Sequence, residues 1–193
     1  MMAAQEVARR EALLTKIAGS ISVAHLNILS ADIFTRGDSL ALDFFRVCDT
    51  KFQAVTDPRD ITAVEKMLKQ ALSQEDFDFR PLLQKAKKRS GFHLSQELDF
   101  PTRISIDNGA HPVYTLVDIQ TPDRLGLLYY LLHAFSDTRV NIVLSRITTE
   151  KGAAIDSFYV TDAEGRKVRD PDHITEIQRA LQQAAGGASP SAT

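Results

Sequence analysis

The sequence predicts an α+β fold made of two diverged copies of one β-α-β-β-α-β unit, the first apparently lacking its first strand. Three observations predict it. Landmark residues recur along the chain at a nearly constant offset. Apolar spacing switches between a period of two and a helical period in the same order in both copies. Turn-forming residues stand at the switches. Leu13-Leu14, Asn27-Ile28, Ile33, Thr35, Asp43, Phe45, Val47 and Asp49 are answered by Leu127-Leu128, Asn141-Ile142, Ile147, Thr149, Asp156, Phe158, Val160 and Asp162. The offset is 114 up to the threonine and 113 from the aspartate on. One residue therefore differs between Arg36–Leu40 and Glu150–Ala153, where Gly37-Asp38 and Lys151-Gly152 supply hairpin-turn chemistry.

Each element of the second copy follows from local pattern. Tyr114 to Gln120 alternates and reads as a strand, and Pro122-Asp123-Arg124 ends it in a turn. Leu127, Leu128, Leu131, Leu132 and Phe135 share one helical face. Val140–Thr149 and Ala154–Thr161 form a hairpin about Lys151-Gly152, and Asp162–Gly165 is a further turn. Asp172–Gln183 sets Ile174, Ile177 and Leu181 on one stripe, with Arg166–Arg169 as a candidate short strand before it. In the first copy Leu13, Leu14, Ile17 and Ile21, with Ala24 as an extension, make the first helix. Leu26–Phe34 and Ala41–Cys48 make the hairpin, and Ile61, Val64, Leu68 and Leu72 line a second helix entered at Asp57-Pro58. Met1–Val7 does not read as a strand, so either the chain starts inside a domain or a strand from elsewhere fills the gap. The expected division is a first unit over 1–76, a linker over 77–108, a second unit over 109–184 and a disordered tail over 185–193. Within the linker, Phe92, Leu94, Glu97-Leu98 and Phe100–Ile106 are candidates for an added strand, and Lys85–Arg89 reads as a solvated basic helix end or linker rather than a site for an anionic partner.

Composition narrows the function. At 44% apolar, 25% charged and a net charge of −2, the chain is an ordinary globular sequence with no basic concentration for nucleic acid. No apolar run is long enough to span a bilayer, and Met1–Arg10 lacks the apolar centre of a signal peptide. The single cysteine, Cys48, rules out an internal disulfide and fits a buried strand position in a cytoplasmic protein. His25, His93, His111, His133 and His173 lack metal-ligand spacing, and no phosphate loop or nucleophile-base pattern occurs. No catalytic residue, metal or cofactor is expected in this chain. Asp43 and Asp156 read as solvent-facing or hairpin-pairing carboxylates.

The chemistry concentrates in Thr121–Leu128, Thr-Pro-Asp-Arg-Leu-Gly-Leu-Leu. Gly126 opens a helix straight after a strand and allows close backbone approach, and helix-terminal amides suit a carboxylate. Asp123 suits either a helix cap or an α-ammonium group. Asp-Arg-Leu-Gly-Leu-Leu, Val-Asn-Ile, Arg-Ile-Thr-Thr and Asp-Ser-Phe-Tyr-Val-Thr-Asp together resemble the ACT domain family. The resemblance implies a ferredoxin-like fold that binds a small ligand, usually an amino acid, between paired domains. It assigns the ligand turn to Asp123, Arg124, Leu125, Gly126, Leu127 and Leu128, and a facing position to Asn141 and Ile142. Asn27 and Ile28 are the counterparts in the first copy. There Ala8-Arg9-Arg10-Glu11-Ala12 replaces Pro-Asp-Arg-Leu-Gly, which removes the acid and the glycine.

The ordered pair, with Leu-Asn-Ile-Leu-Ser-Ala-Asp-Ile-Phe-Thr-Arg and Ala-Leu-Asp-Phe-Phe-Arg-Val in the first copy, is similar to the C-terminal tandem ACT region of the bifunctional protein-PII uridylyltransferase/uridylyl-removing enzymes. That resemblance implies allosteric sensing of an amino-acid effector, glutamine foremost. It also implies another ACT domain in the chain or a second subunit as partner, upstream catalytic domains, and protein PII as an indirect partner. An ACT interaction module without ligand is the alternative reading.

Overall fold

The computed structural model describes residues 2–35, 41–90 and 100–186. Helix α1 (Met2–Val23) leads into β1 (Asn27–Thr35), β2 (Ala41–Cys48), α2 (Pro58–Leu72) and α3 (Arg80–Ser90). Then come β3 (Arg103–Asp107), β4 (Thr115–Pro122), α4 (Leu127–Asp137), β5 (Asn141–Glu150), β6 (Ala153–Thr161) and α5 (Pro171–Gly186). The six strands form one sheet in the order β2-β1-β5-β6-β4-β3, antiparallel throughout. The two units thus share a single sheet, joined where β1 pairs with β5 from Ser30↔Thr148 to Phe34↔Leu144. This is the mixed α+β, ferredoxin-like architecture that the repeat predicts.

The repeat is kept in detail. His25 and Arg139 both take positive φ after their helices (60° and 57°), each between the same pair of closing bonds. Asn27 Nδ2 donates to the Asp49 carbonyl as Asn141 Nδ2 donates to that of Asp162, both at 3.0 Å. Asp49 and Asp162 each accept two backbone N–H groups in the turns that follow. Such side-chain-to-backbone bonds hold tight turns without a core of their own. At α2, Asp57 caps the helix through the Arg59 amide and Pro58 occupies its first turn, where the missing N–H costs nothing.

The helices lie side by side, α2 against α1, α1 against α4 and α4 against α5. One core runs beneath them, containing Leu14, Ala18, Ala31, Val117, Ile119, Leu131, Phe135, Ile147, Phe158 and Leu181. Strand alternation sends Asp118, Gln120 and Arg146 to the opposite, exposed face. The segment between the units carries structure of its own. Phe79 is fully buried and packs on Gly19, whose hypothetical Cβ would lie 2.6 Å from its ring. Lys85, Lys87 and Lys88 lie on the exposed side of α3. β3 takes the sheet position beyond β4, so the edge of the second unit is closed by a strand that precedes it in sequence.

Several expectations change. Arg166–Arg169 forms no strand; Val168 is buried there and donates its N–H to Thr115 Oγ1. α5 runs on to Gly186. Met2–Val7 is helical and continuous with α1. Ile61 and Leu72 on α2 are exposed, while Val64 and Leu68 are half-buried. The first hairpin tip, Phe92–Leu98 and the last residues, 187–193, lie outside the described residues.

Candidate functional site

A pocket opens at the seam between the units. Ser22, Leu26, Asn27 and Ile28 line it from the α1–β1 corner, and Asp123–Leu128 from the β4–α4 turn. Ile147, Thr149, Ala154 and Asp156 complete it from the hairpin between. Eight of the ten residues expected at a ligand site therefore share one cavity: Asn27, Ile28, Asp123, Arg124, Leu125, Gly126, Leu127 and Leu128. Asn141 and Ile142 do not line it. Asn141 makes the same turn bond as Asn27, to the Asp162 carbonyl, and Ile142 is buried, so position and not bonding separates the two pairs. The place of Asn141 and Ile142 in the first repeat is held by Asn27 and Ile28, which face the second unit's turn. The reciprocal arrangement would need a strand-to-helix turn at Ala8–Ala12, and there the backbone is helical.

Local geometry explains the turn. Gly126 precedes α4 with φ 76° and ψ 9°, a left-handed conformation that other residues adopt only with strain. A Cβ at Gly126 would also sit 3.0 Å from Leu83 Cδ1 of α3. The first helical bond is donated by the Tyr130 N–H to the Gly126 carbonyl and the Leu127 N–H is spent on the Arg124 carbonyl, so the Leu128 and Tyr129 amides are the ones without an acceptor within the helix. Those amides and the helix dipole favour an anionic group at this end. Thr149 Oγ1 donates to the Ile28 carbonyl at 3.1 Å and ties the two units together at the pocket wall.

Charges are divided in an informative way. Arg124 lines the cavity, but its guanidinium is engaged by α5. Its guanidinium donates to the carbonyls of Ala184 and Ala185 at the end of α5 and lies 4.6 Å from the Tyr130 ring centroid. It thus closes the C-terminus of α5, where a cation is favoured. Asp123 accepts the Arg124 N–H at 2.8 Å, and burial pushes its carboxyl up to about 6 against that bond and the nearby guanidinium. Asp156 is 2% exposed and accepts the Thr148 N–H at 3.2 Å. Burial, opposed by that bond and reinforced by the Asp123 charge, pushes it up to about 7. Of the two expected readings of Asp156, facing solvent is therefore wrong and pairing across the hairpin is right, through the Thr148 N–H of β5. The signal was present in the alternation: residue 156 shares a strand face with Ala154, Phe158 and Val160, all buried.

The site offers two desolvated carboxyl groups, a helix N-terminus, the Asn27 side chain and apolar walls from Leu26, Ile28 and Ile147. Carboxylates complement an ammonium group and helix amides a carboxylate, which is the charge pattern of a zwitterion. Among the described residues, no cluster of His, Cys, Asp and Glu could hold a metal ion, and no helix is long and apolar enough to cross a membrane.

A family model described as an ACR9-like, ACT-like domain matches residues 103–186, which begins at β3 and ends with α5. The chain is similar to bifunctional uridylyltransferase/uridylyl-removing enzymes from several bacteria. Identity is 34% over 175 residues to that of Rhodospirillum rubrum, covering 89% of this chain and 18% of the relative. It is 32% to that of Gluconobacter oxydans, covering 88% and 18%. It is 33% to that of Azospirillum brasilense, covering 93% and 19%. The chain thus spans under a fifth of the length of these relatives. No solved structure gives a significant match. The domain match places an ACT-like domain at residues 103–186, and over about nine-tenths of its length the chain is similar to a segment of the bifunctional uridylyltransferase/uridylyl-removing enzymes.

Proposed function

We propose that this chain is a regulatory module that senses an amino acid, glutamine foremost, in a protein-PII uridylyltransferase/uridylyl-removing enzyme. The supporting observation is the seam pocket, because residues of both units line it around a zwitterion-compatible set of groups. A ligand there contacts Asn27–Ile28 and Asp123–Leu128 together, so it favours whichever arrangement of the units brings them closest. A ligand shifts an equilibrium only by its difference in affinity for the two states, and a site shared by two bodies supplies that difference. In the longer protein the shift would reach uridylyl transfer and removal, with protein PII as the downstream target. Among the described residues the helical Ala8–Ala12 segment offers no counterpart of the Asp123–Leu128 turn.

Calorimetric titration of the purified chain tests the reading, with glutamine as ligand and glutamate and leucine as comparisons. The expected result is saturable heat with glutamine at one ligand per chain, lost in Gly126→Val. Absence of heat with every amino acid, from a folded sample, would overturn sensing by this chain and favour an ACT interaction module.

A further inference from the structure

The polar groups around the seam pocket divide by unit. Asp123, Asp156 and the Leu128 amide at the start of α4 all belong to the second unit. They suit the charged head of an amino acid, and every α-amino acid carries that head. Discrimination among amino acids therefore falls to the rest of the lining. Thr149 Oγ1 is spent on the Ile28 carbonyl, and the Arg124 guanidinium on the end of α5. Two polar side chains remain, Ser22 and Asn27, and both come from the first unit.

Ser22 is 4% exposed, yet its hydroxyl has no hydrogen-bond partner among the described residues. A serine inside a helix commonly returns its hydroxyl to the carbonyl four residues back, as Ser20 does to Lys16 at 2.7 Å; Ser22 does not. At the repeat offset of 114 its counterpart is Ser136, which is exposed on α4. Asn27 is 9% exposed and commits Nδ2 to the Asp49 carbonyl at 3.0 Å. That bond fixes the amide and leaves Oδ1 as an acceptor, to which no group among the described residues donates. Buried polar groups of this kind are costly unless an occupant of the pocket completes them. On the reading that an amino acid binds in this pocket, we infer that Ser22 and Asn27 read the far end of its side chain and select a terminal carboxamide. The Ser22 hydroxyl donates to the carboxamide oxygen, and Asn27 Oδ1 accepts from the carboxamide nitrogen. A carboxylate end has no N–H for Oδ1 and brings another negative charge toward Asp123 and Asp156. An alkyl end leaves both protein groups buried and unpaired. The second unit thus holds the head of the effector and the first unit its side-chain end, so an effector with the right end chemistry bridges the seam.

Calorimetric titration of the full chain with three near-isosteric probes tests this, the weaker probes being read by competition with glutamine. The probes are glutamine, 2-amino-5-oxohexanoate, in which a methyl group replaces the amide nitrogen, and norleucine, which lacks the carbonyl as well. Affinity should fall at least about tenfold at each step. The first step removes the N–H donors that face Asn27, and the second removes the acceptor that faces Ser22. Ser22→Ala should abolish the second step and keep the first, with norleucine bound at least as tightly as in the parent. The hydroxyl bonds nothing among the described residues, so its removal leaves α1 intact, and norleucine binding reports an undamaged head site. Norleucine binding as tightly as glutamine in the parent would overturn the inference while leaving amino-acid sensing in place. A second step undiminished in Ser22→Ala would overturn it in the same way. Absence of heat with all three probes, from a folded sample, would overturn the sensing reading itself and this inference with it.

Discussion

Replacing Asp156 by asparagine should make the ligand-free protein more stable at neutral and alkaline pH, although the carboxylate is a core-facing group. The folded carboxyl keeps its proton up to about pH 7, whereas the unfolded one loses it near 3.8. The native state therefore binds more protons across that window, and stability falls as pH rises through it. A rise from 3.8 to about 7 corresponds to a total cost of about 4 kcal/mol for ionising the folded group. Of this, about 3 kcal/mol accrues between roughly pH 5 and pH 8, a ceiling that water entry and local relaxation reduce. Asparagine is close to isosteric and keeps an acceptor for the Thr148 N–H, 3.2 Å from Asp156 Oδ1. Its amide supplies the donor that the neutral carboxyl otherwise provides. Urea unfolding of the two proteins at about pH 5 and about pH 8 measures the effect. Asp156→Asn should gain on the order of 1–3 kcal/mol relative to the parent over that interval. A residual slope should remain from Asp123, whose carboxyl is pushed up to about 6. Equal pH dependence in the two proteins, or a loss of stability in Asp156→Asn at the higher pH, would refute the assignment of Asp156 as a desolvated carboxyl.

Other outcomes follow from the same geometry. An ammonium group seated beside Asp123 and Asp156 should drive both carboxyls to ionise. Glutamine binding should then release protons below about pH 7, seen as buffer-dependent heat, and tighten as pH rises to that point. The 2-oxo acid analogue, which lacks the ammonium, should bind at least about tenfold more weakly. Gly126→Ala should cost about 1–2 kcal/mol by urea unfolding, because φ is 76° and Leu83 lies 3.0 Å from the new Cβ. Gly19→Ala should cost about 1–3 kcal/mol and raise amide exchange in α3, since its Cβ would enter the Phe79 ring at 2.6 Å. Arg124→Met should cost about 1–2 kcal/mol and raise exchange at the end of α5, with a smaller effect on effector affinity, because the guanidinium serves the α5 carbonyls.

Much of the fold was legible because each unit depends on local pattern. Alternation in Tyr114–Gln120 and the stripe through Leu127, Leu128, Leu131, Leu132 and Phe135 name their elements unaided, since pleat and helix periods are backbone properties. The Asp123–Leu128 turn was legible as a turn for a similar reason: Gly126 before a helix signals a left-handed φ that a contiguous segment can encode. What the sequence did not reveal depends on contacts between distant segments. Asp156 lies in a strand that could turn either face inward for a lone carboxylate, and its burial follows from the sheet being covered by α1 and α4. Arg124 belongs by sequence to the ligand turn, yet the end of α5, some sixty residues away, takes its guanidinium. Ile61 and Leu72 have the spacing of a buried stripe, yet each is 52% exposed. By itself the sequence determined the repeat, the elements and the chemistry of the Asp123–Leu128 turn. The tertiary structure decided that the two units share one sheet, that Asn27 and Ile28 rather than Asn141 and Ile142 face that turn, and which polar groups lose water. Those outcomes turn on strand pairing and desolvation, which are properties of assembled surfaces and not of any local run of residues.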